Sequence, residues 1–131
     1  MRTLIALVLG LAVGFVLALI AARALATIGA HPKATMVVMA RHLDALRLAN
    51  GASDCDDAVV AARLDQVRAM AREIDFAFPG DGPEHAAFRR RSGQFRSLAE
   101  TAATTSGGCT GLATALAELG QGCQDCHRDF R

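Results

Sequence analysis

The pentapeptide Cys123-Gln124-Asp125-Cys126-His127 restricts this chain more than any other stretch of it. It reads C-x-x-C-H and lies near the end of the sequence. Two thiols three positions apart share one face of a helical turn, and an imidazole follows at once. This spacing is the attachment signature of a c-type haem: each thiol can form a thioether to one vinyl group, and the histidine can bind the iron as proximal ligand. Two other chemistries use C-x-x-C. A redox dithiol wants a strand–turn–helix setting, and no strand pattern accompanies the motif. A zinc site would need Cys55 and Cys109 as its other half. The adjacent histidine, and an N-terminal segment suited to export, favour haem over both.

A motif of this kind needs a scaffold, and the rest of the chain reads as helix. Pro is scarce, Trp and Tyr are absent, and alanine is abundant, a composition that suits helices. With 131 residues and one apolar terminal segment, there is room for one domain of roughly a hundred residues. A core that small gains from a covalently held porphyrin, which adds apolar area the side chains lack. The formal net charge of +1 gives no footing for a nucleic-acid partner.

Met1-Arg2-Thr3 is a short positive start, and Leu4 to Ala22 is uninterrupted apolar sequence followed by Arg23. The run is close to the length that spans a bilayer, yet Ala24-Leu25-Ala26 is an A-x-A cleavage pattern. Residues 1–26 are therefore a signal-anchor or a cleaved signal peptide, with the length of run 4–22 favouring a retained transmembrane helix. Either way residues 27–131 are exported. Gly10 and Gly14 form a weak G-x-x-x-G pairing pattern.

Thr27 to Pro32 reads as a linker, with Pro32 opening a helix over 33–49 that Asn50-Gly51 stops. Its apolar stripe is Met36, Met39/Ala40, Leu43 and Leu46, with Arg41, Asp44 and Arg47 outside. Ser53 is the expected N-cap of a second helix ending near Phe76, with Asp54, Asp56 and Asp57 in its first turn and Val60, Leu64, Val67, Ala71, Ile74 and Phe78 as its stripe. After the turn Pro79-Gly80-Asp81-Gly82, a third helix starts at Pro83 and reaches about Thr104, with Phe88, Phe95, Leu98 and Ala102 inward. Its Arg89-Arg90-Arg91 run is a solvated face, or a source of a cation for a haem propionate or an acidic partner. Ser106-Gly107-Gly108 breaks the chain again, and a fourth helix runs from near Cys109 to near Arg128. Leu112, Leu116, Leu119, Cys123 and Cys126 keep the same four–three spacing, which puts the two thiols on the core-facing stripe.

The fold expected is all-α: an antiparallel up-down-up-down four-helix bundle over 27–131, preceded by the transmembrane or signal helix. In that topology Met36 falls at the same bundle end as His127. The second and fourth helices both start at the other end, which brings Cys55 and Cys109 close. In an oxidising compartment those two form a disulfide or stay as two unpaired thiols.

Cys123-Gln124-Asp125-Cys126-His127-Arg128-Asp129-Phe130-Arg131 resembles the C-terminus of the cytochrome c′ family, which carries C-x-x-C-H near the end of its last helix, followed by an aromatic and a basic residue. Met36-Val37-Val38-Met39-Ala40-Arg41-His42-Leu43-Asp44-Ala45-Leu46 resembles that family's first helix. Aligned on Val38-Met39-Ala40 and His42, Met36 takes the position facing the distal side of the haem. Many members have a non-ligating Leu or Phe there and a five-coordinate iron that binds NO or CO, whereas low-spin relatives have an iron-binding Met. The resemblance covers residues 31–131 and implies one covalent haem c on Cys123 and Cys126, His127 as proximal ligand and Met36 as distal ligand. It implies a periplasmic monohaem carrier of single electrons, not an enzyme, at the outer side of the bacterial inner membrane, with redox proteins of a respiratory or photosynthetic chain as partners and a homodimer as one oligomeric form. The alternative is a five-coordinate NO/CO-binding haem protein in which Met36 only packs. Met39 is the second ligand candidate. His42 lies nearly two turns further along, His31 sits in the linker, and His85 has no assigned role. Where family members often carry an Arg for a propionate, this chain has Pro32, so Lys33 or an Arg of the third helix takes that expectation.

Overall fold

In the computed structural model, residues 2–130 are described in their backbone, and residues 10–23 and 31–130 in their side chains as well. Among these residues there are four helices: α1 (Arg2–Gly51), α2 (Asp57–Ala77), α3 (Gly82–Thr105) and α4 (Leu112–Asp129). The chain divides into two compact units, Met1–Lys33 and Ala34–Arg131.

The first unit corrects one expectation. Thr27 to Pro32 is not a linker, because α1 runs through Pro32 without a break. Proline removes one i→i−4 hydrogen bond and costs about 3 kcal/mol inside a helix, but each residue propagated on either side adds its own bond once the helix is nucleated. The Ala-rich sequence before Pro32 and Ala34 after it favour that propagation. Leu11, Phe15, Leu17 and Ile20 are exposed on this part of α1. Among the described residues no helix is long and apolar enough to cross a membrane. The apolar run 4–22 begins on side chains outside the described residues, and so does the Ala24-Leu25-Ala26 pattern.

The second unit is an all-helical bundle. The sense of successive helices follows from the ion pairs between them. Arg72 and Arg68 of α2 reach Glu100 of α3 at 2.9 and 3.3 Å, while Arg96 of α3 reaches Asp75 near the end of α2 at 3.2 Å. Rising numbers on α2 therefore meet falling numbers on α3. Arg91 near the start of α3 holds Asp129 at the end of α4 at 2.9 Å, so α3 and α4 are antiparallel too. Glu100 is held below the ordinary carboxylate range, chiefly by its hydrogen bond from Arg72 and further by Arg68.

The core is the meeting of four stripes. Leu46 of α1, Val60, Leu64 and Val67 of α2, and Leu112 and Leu119 of α4 are almost wholly excluded from solvent, and Phe95, Ala99 and Ala102 of α3 complete the layer. The α2 stripe Val60, Leu64, Val67, Ala71 and Ile74 is buried throughout. Leu64, 1% exposed, and Leu48, 77% exposed, give the core a direct test. Leu64→Ala should lower unfolding free energy by about 3 kcal/mol, a typical buried leucine truncation, whereas Leu48→Ala should change it by less than about 0.5 kcal/mol. Equal losses in chemical denaturation would contradict this core.

Loop chemistry aligns the ends. The cap of α2 is Asp56, not Ser53: its Oδ1 accepts from the backbone N–H of Ala58 at 2.8 Å and of Val59 at 3.3 Å, so the helix starts three residues later than the serine predicts. A carboxylate in the cap position both satisfies orphan N–H groups and faces the positive end of the helix dipole. The loop after α3 turns through Gly107 and Gly108, at φ of +65° and +72°. At Gly108 an added Cβ would lie 2.7 Å from Asp57 Cγ, so only glycine lets the loop approach α2 this closely. That approach lets the Cys109 N–H donate to Asp57 Oδ1 at 2.8 Å. It also sets Cys109 beside Cys55, to which it is disulfide-bonded with a Cα–Cα distance of 6.1 Å.

Candidate haem site

At the other end of α4, Cys123 and Cys126 are free thiols and half-buried. They lie on the continuation of the stripe that buries Leu112 and Leu119, and both pack against the core cluster. Together with His127 and Gly122 they form one wall of a cavity of about 210 Å³. α1 contributes Met36, Met39, Ala40, Leu43 and Arg47 to the same lining, α2 Ile74, and α3 Ser92 and Phe95. Cys123 and His127 also line an outer hollow of about 580 Å³ with Gln124 and Arg128. The thiols and the imidazole thus stand between an apolar interior and an open rim.

Helix packing is tight where the motif begins. A Cβ on Gly122 would come within 2.9 Å of Leu98 Cδ1 and 3.1 Å of Phe95 Cδ2, so the absence of a side chain there lets α3 sit close beside Cys123. The turn that carries His127 is held from α3 at two points. Arg91 Nε and a terminal guanidinium nitrogen both donate to Asp129 Oδ2 at 2.9 Å, a two-point, charge-assisted contact. The Phe130 ring meets Phe88 edge-on with 5.5 Å between centroids, and its N–H donates to the Cys126 carbonyl at 2.9 Å. Phe88 is also stacked with His85 at 5.7 Å and tilted against Phe78 at 5.4 Å. His85, without a role in the sequence reading, is part of this aromatic cluster.

The residues singled out by sequence distribute as follows. Met36, Met39, Cys123, Cys126 and His127 share the one cavity. Met39 is buried and Met36 half-buried. His42 does not line the cavity; its Nδ1 faces a guanidinium nitrogen of Arg63 at 3.3 Å. His31 lies in α1, in the first unit. Of the arginine run, Arg91 is committed to Asp129, and Arg89 and Arg90 are exposed. Three cavity residues escaped the sequence reading: Arg47, Ser92 and Gly122. Arg47, assigned to the outside, lines the cavity while its head group pairs with Asp44 at 2.6 Å; it lies four residues beyond Leu43, on the same stripe. Ser92 falls between Phe88 and Phe95 at helical spacing and is buried.

The chemistry of this donor set separates the alternatives. Burial, the largest influence, pushes both the Cys123 and the Cys126 thiols above their ordinary pKa; the Arg47 charge partly opposes the effect on Cys123. Reactive dithiols work with a lowered pKa, so this environment is the reverse of what a redox C-x-x-C requires. The zinc alternative fails on location. Cys55 and Cys109 bond to each other, and the α4 segment from Leu112 to Cys123 puts about 16 Å of helical rise between the two pairs. What remains together in one cavity lining is a pair of thiols, an imidazole, two thioethers and one cation. That set fits a haem: thiols for the vinyl groups, imidazole and thioether for the iron, apolar walls for the ring and Arg47 for a propionate.

No curated protein and no solved structure matches the chain. The family model described as Cytochrome C' matches residues 30–131, which takes in the whole bundle unit and every residue of the cavity. The chain therefore belongs to the cytochrome c′ family, whose members carry a covalently attached haem c.

Proposed function

We propose that this protein is an exported monohaem cytochrome that carries single electrons, with Cys123 and Cys126 as the thioether attachments, His127 as proximal ligand and Met36 as distal ligand. One observation carries the reading: the α4 thiols and imidazole and the α1 thioethers line the same apolar cavity. Haem c, once bound, supplies a one-electron ferric/ferrous couple. The chain's own residues do the rest. Cys123 and Cys126 make the attachment permanent. His127 and Met36 would both bind the iron, which would leave no site for a gas and favour the reduced state relative to a weaker ligand than the thioether. Leu43, Ile74 and Phe95 keep water from the interior, so little solvent reorganises as the charge changes. Arg47 stands at the cavity as the cation for a propionate, in place of Lys33.

Residues 1–26 serve as the export signal, either retained as an anchor through 4–22 or removed, and deliver the bundle to the periplasmic side of the membrane. A Cys55–Cys109 disulfide suits that oxidising compartment. The partners are redox proteins at that membrane.

The visible spectrum of the reduced, haem-loaded protein, taken before and after CO, tests this. A sharp low-spin α-band that CO leaves unchanged is the expected result. Met36→Leu should convert the protein to a CO-binding, high-spin form, and Met39→Leu should not. A wild-type spectrum that CO shifts at once would replace the electron carrier by a gas-binding protein with an open distal side.

A further inference from the structure

We infer that Asp75, Ser92 and Arg96 form a charged relay in the cavity wall that sets the redox potential of the bound haem, an inference that rests on the haem site proposed above. Ser92 is 2% exposed and is, among the described residues, the buried polar side chain on the cavity wall. Its hydroxyl carries one proton and has two acceptors, Asp75 Oδ1, very closely approached, and the Arg89 carbonyl at 3.1 Å. No hydroxyl proton is left to point into the cavity, so what Ser92 offers the interior is the electron-rich side of its oxygen. Behind it stands a formal negative charge. Asp75 is on α2 one residue from Ile74, itself a cavity residue, and its second oxygen accepts from Arg96 at 3.2 Å.

Serine is unusual in an otherwise apolar stripe, since burying a hydroxyl without a partner costs stability. The core would be served by alanine at this position. Retaining Ser92 gives the cavity an oriented dipole anchored by a carboxylate, and in a low-dielectric interior such fixed groups act strongly on a nearby charge. A carboxylate and the negative end of a dipole stabilise the ferric state, which carries one more positive charge, and so lower the potential. Arg96, on the solvent side of Asp75, opposes them. The potential is then a balance between a thioether ligand that raises it and a wall that lowers it.

The opposite signs of the two charges supply the test. Redox titration of the haem-loaded protein should give a higher midpoint potential for Asp75→Asn and a lower one for Arg96→Gln, with Ser92→Ala raised by less than Asp75→Asn. Ser92→Ala keeps the question open should Asp75→Asn fail to fold. The low-spin spectrum should be unchanged in all three. Potentials equal to wild type, or a shift of all three in the same direction, would overturn the inference, because mere loosening of the wall does not depend on the sign of the charge removed. Wild-type protein without covalent haem would overturn it together with the site reading beneath it.

Discussion

Cys123→Ser combined with Cys126→Ser is expected to yield protein from which acid–acetone removes all of the haem, whereas the wild type should retain it fully. Each single substitution should leave one thioether and an intermediate spectrum. The reason is positional. The two thiols lie three residues apart on the inner stripe of α4 and line the cavity with His127, so both would be available to hold a haem bound there. Their burial keeps them as neutral thiols, which protects the unloaded chain from adventitious oxidation. Once its haem is lost, the double variant should also fall in thermal stability, since the cavity is lined by Leu43, Ile74 and Phe95 and an unfilled hollow of about 210 Å³ forfeits packing. Haem that resists extraction from the double variant would refute the attachment.

The second large effect belongs to the opposite end of the bundle. Cys55→Ala with Cys109→Ala should lower unfolding free energy by about 4 kcal/mol, the loop-closure value for a cross-link of this span; the bridged residues are 54 apart in sequence. For a domain of about a hundred residues, that is a fall of more than about 10 °C in melting temperature. The visible spectrum should stay as in wild type, because the bridge is separated from Cys123 and Cys126 by most of α4. Asp57, which receives the Cys109 N–H, holds the loop in either case. Two reactive thiols in unfolded, unreduced wild-type holoprotein would contradict the bridge, and a spectral change in the variant would contradict the independence of the two ends.

Much of this architecture is readable from side-chain spacing. The alternation of fours and threes from Val60 to Ile74 identifies a buried helix face because no polar residue interrupts it, and the same step carries Leu112 and Leu119 onward to Cys123 and Cys126. Boundaries were harder. Pro32 reads as a helix start because proline fits a first turn, but it costs one hydrogen bond, and a long helix with good formers on both sides absorbs that. Ser53 and Asp56 are both good caps. Which one closes α2 depends on where the Cys55–Cys109 bridge and the Gly107-Gly108 loop leave the chain, a tertiary condition that local pattern does not carry. The site shows the same division. The thiols and His127 are legible by motif, and Met36 by the family resemblance of its helix and its place at the same bundle end. Ser92 is not, because polarity argues for the surface while its register argues for the stripe, and it is buried; Arg47 stays exposed, as its polarity argues, and lines the cavity from there.

The proton NMR spectrum of the ferrous protein addresses the axial pair most directly. A methionine bound to haem iron places its methyl group over the ring, whose current moves that resonance far upfield of the normal envelope. One such three-proton signal is expected, lost in Met36→Leu and kept in Met39→Leu. Absence of the signal in wild type, or its survival in Met36→Leu, would contradict the assignment of Met36 and with it the closed, electron-carrying site.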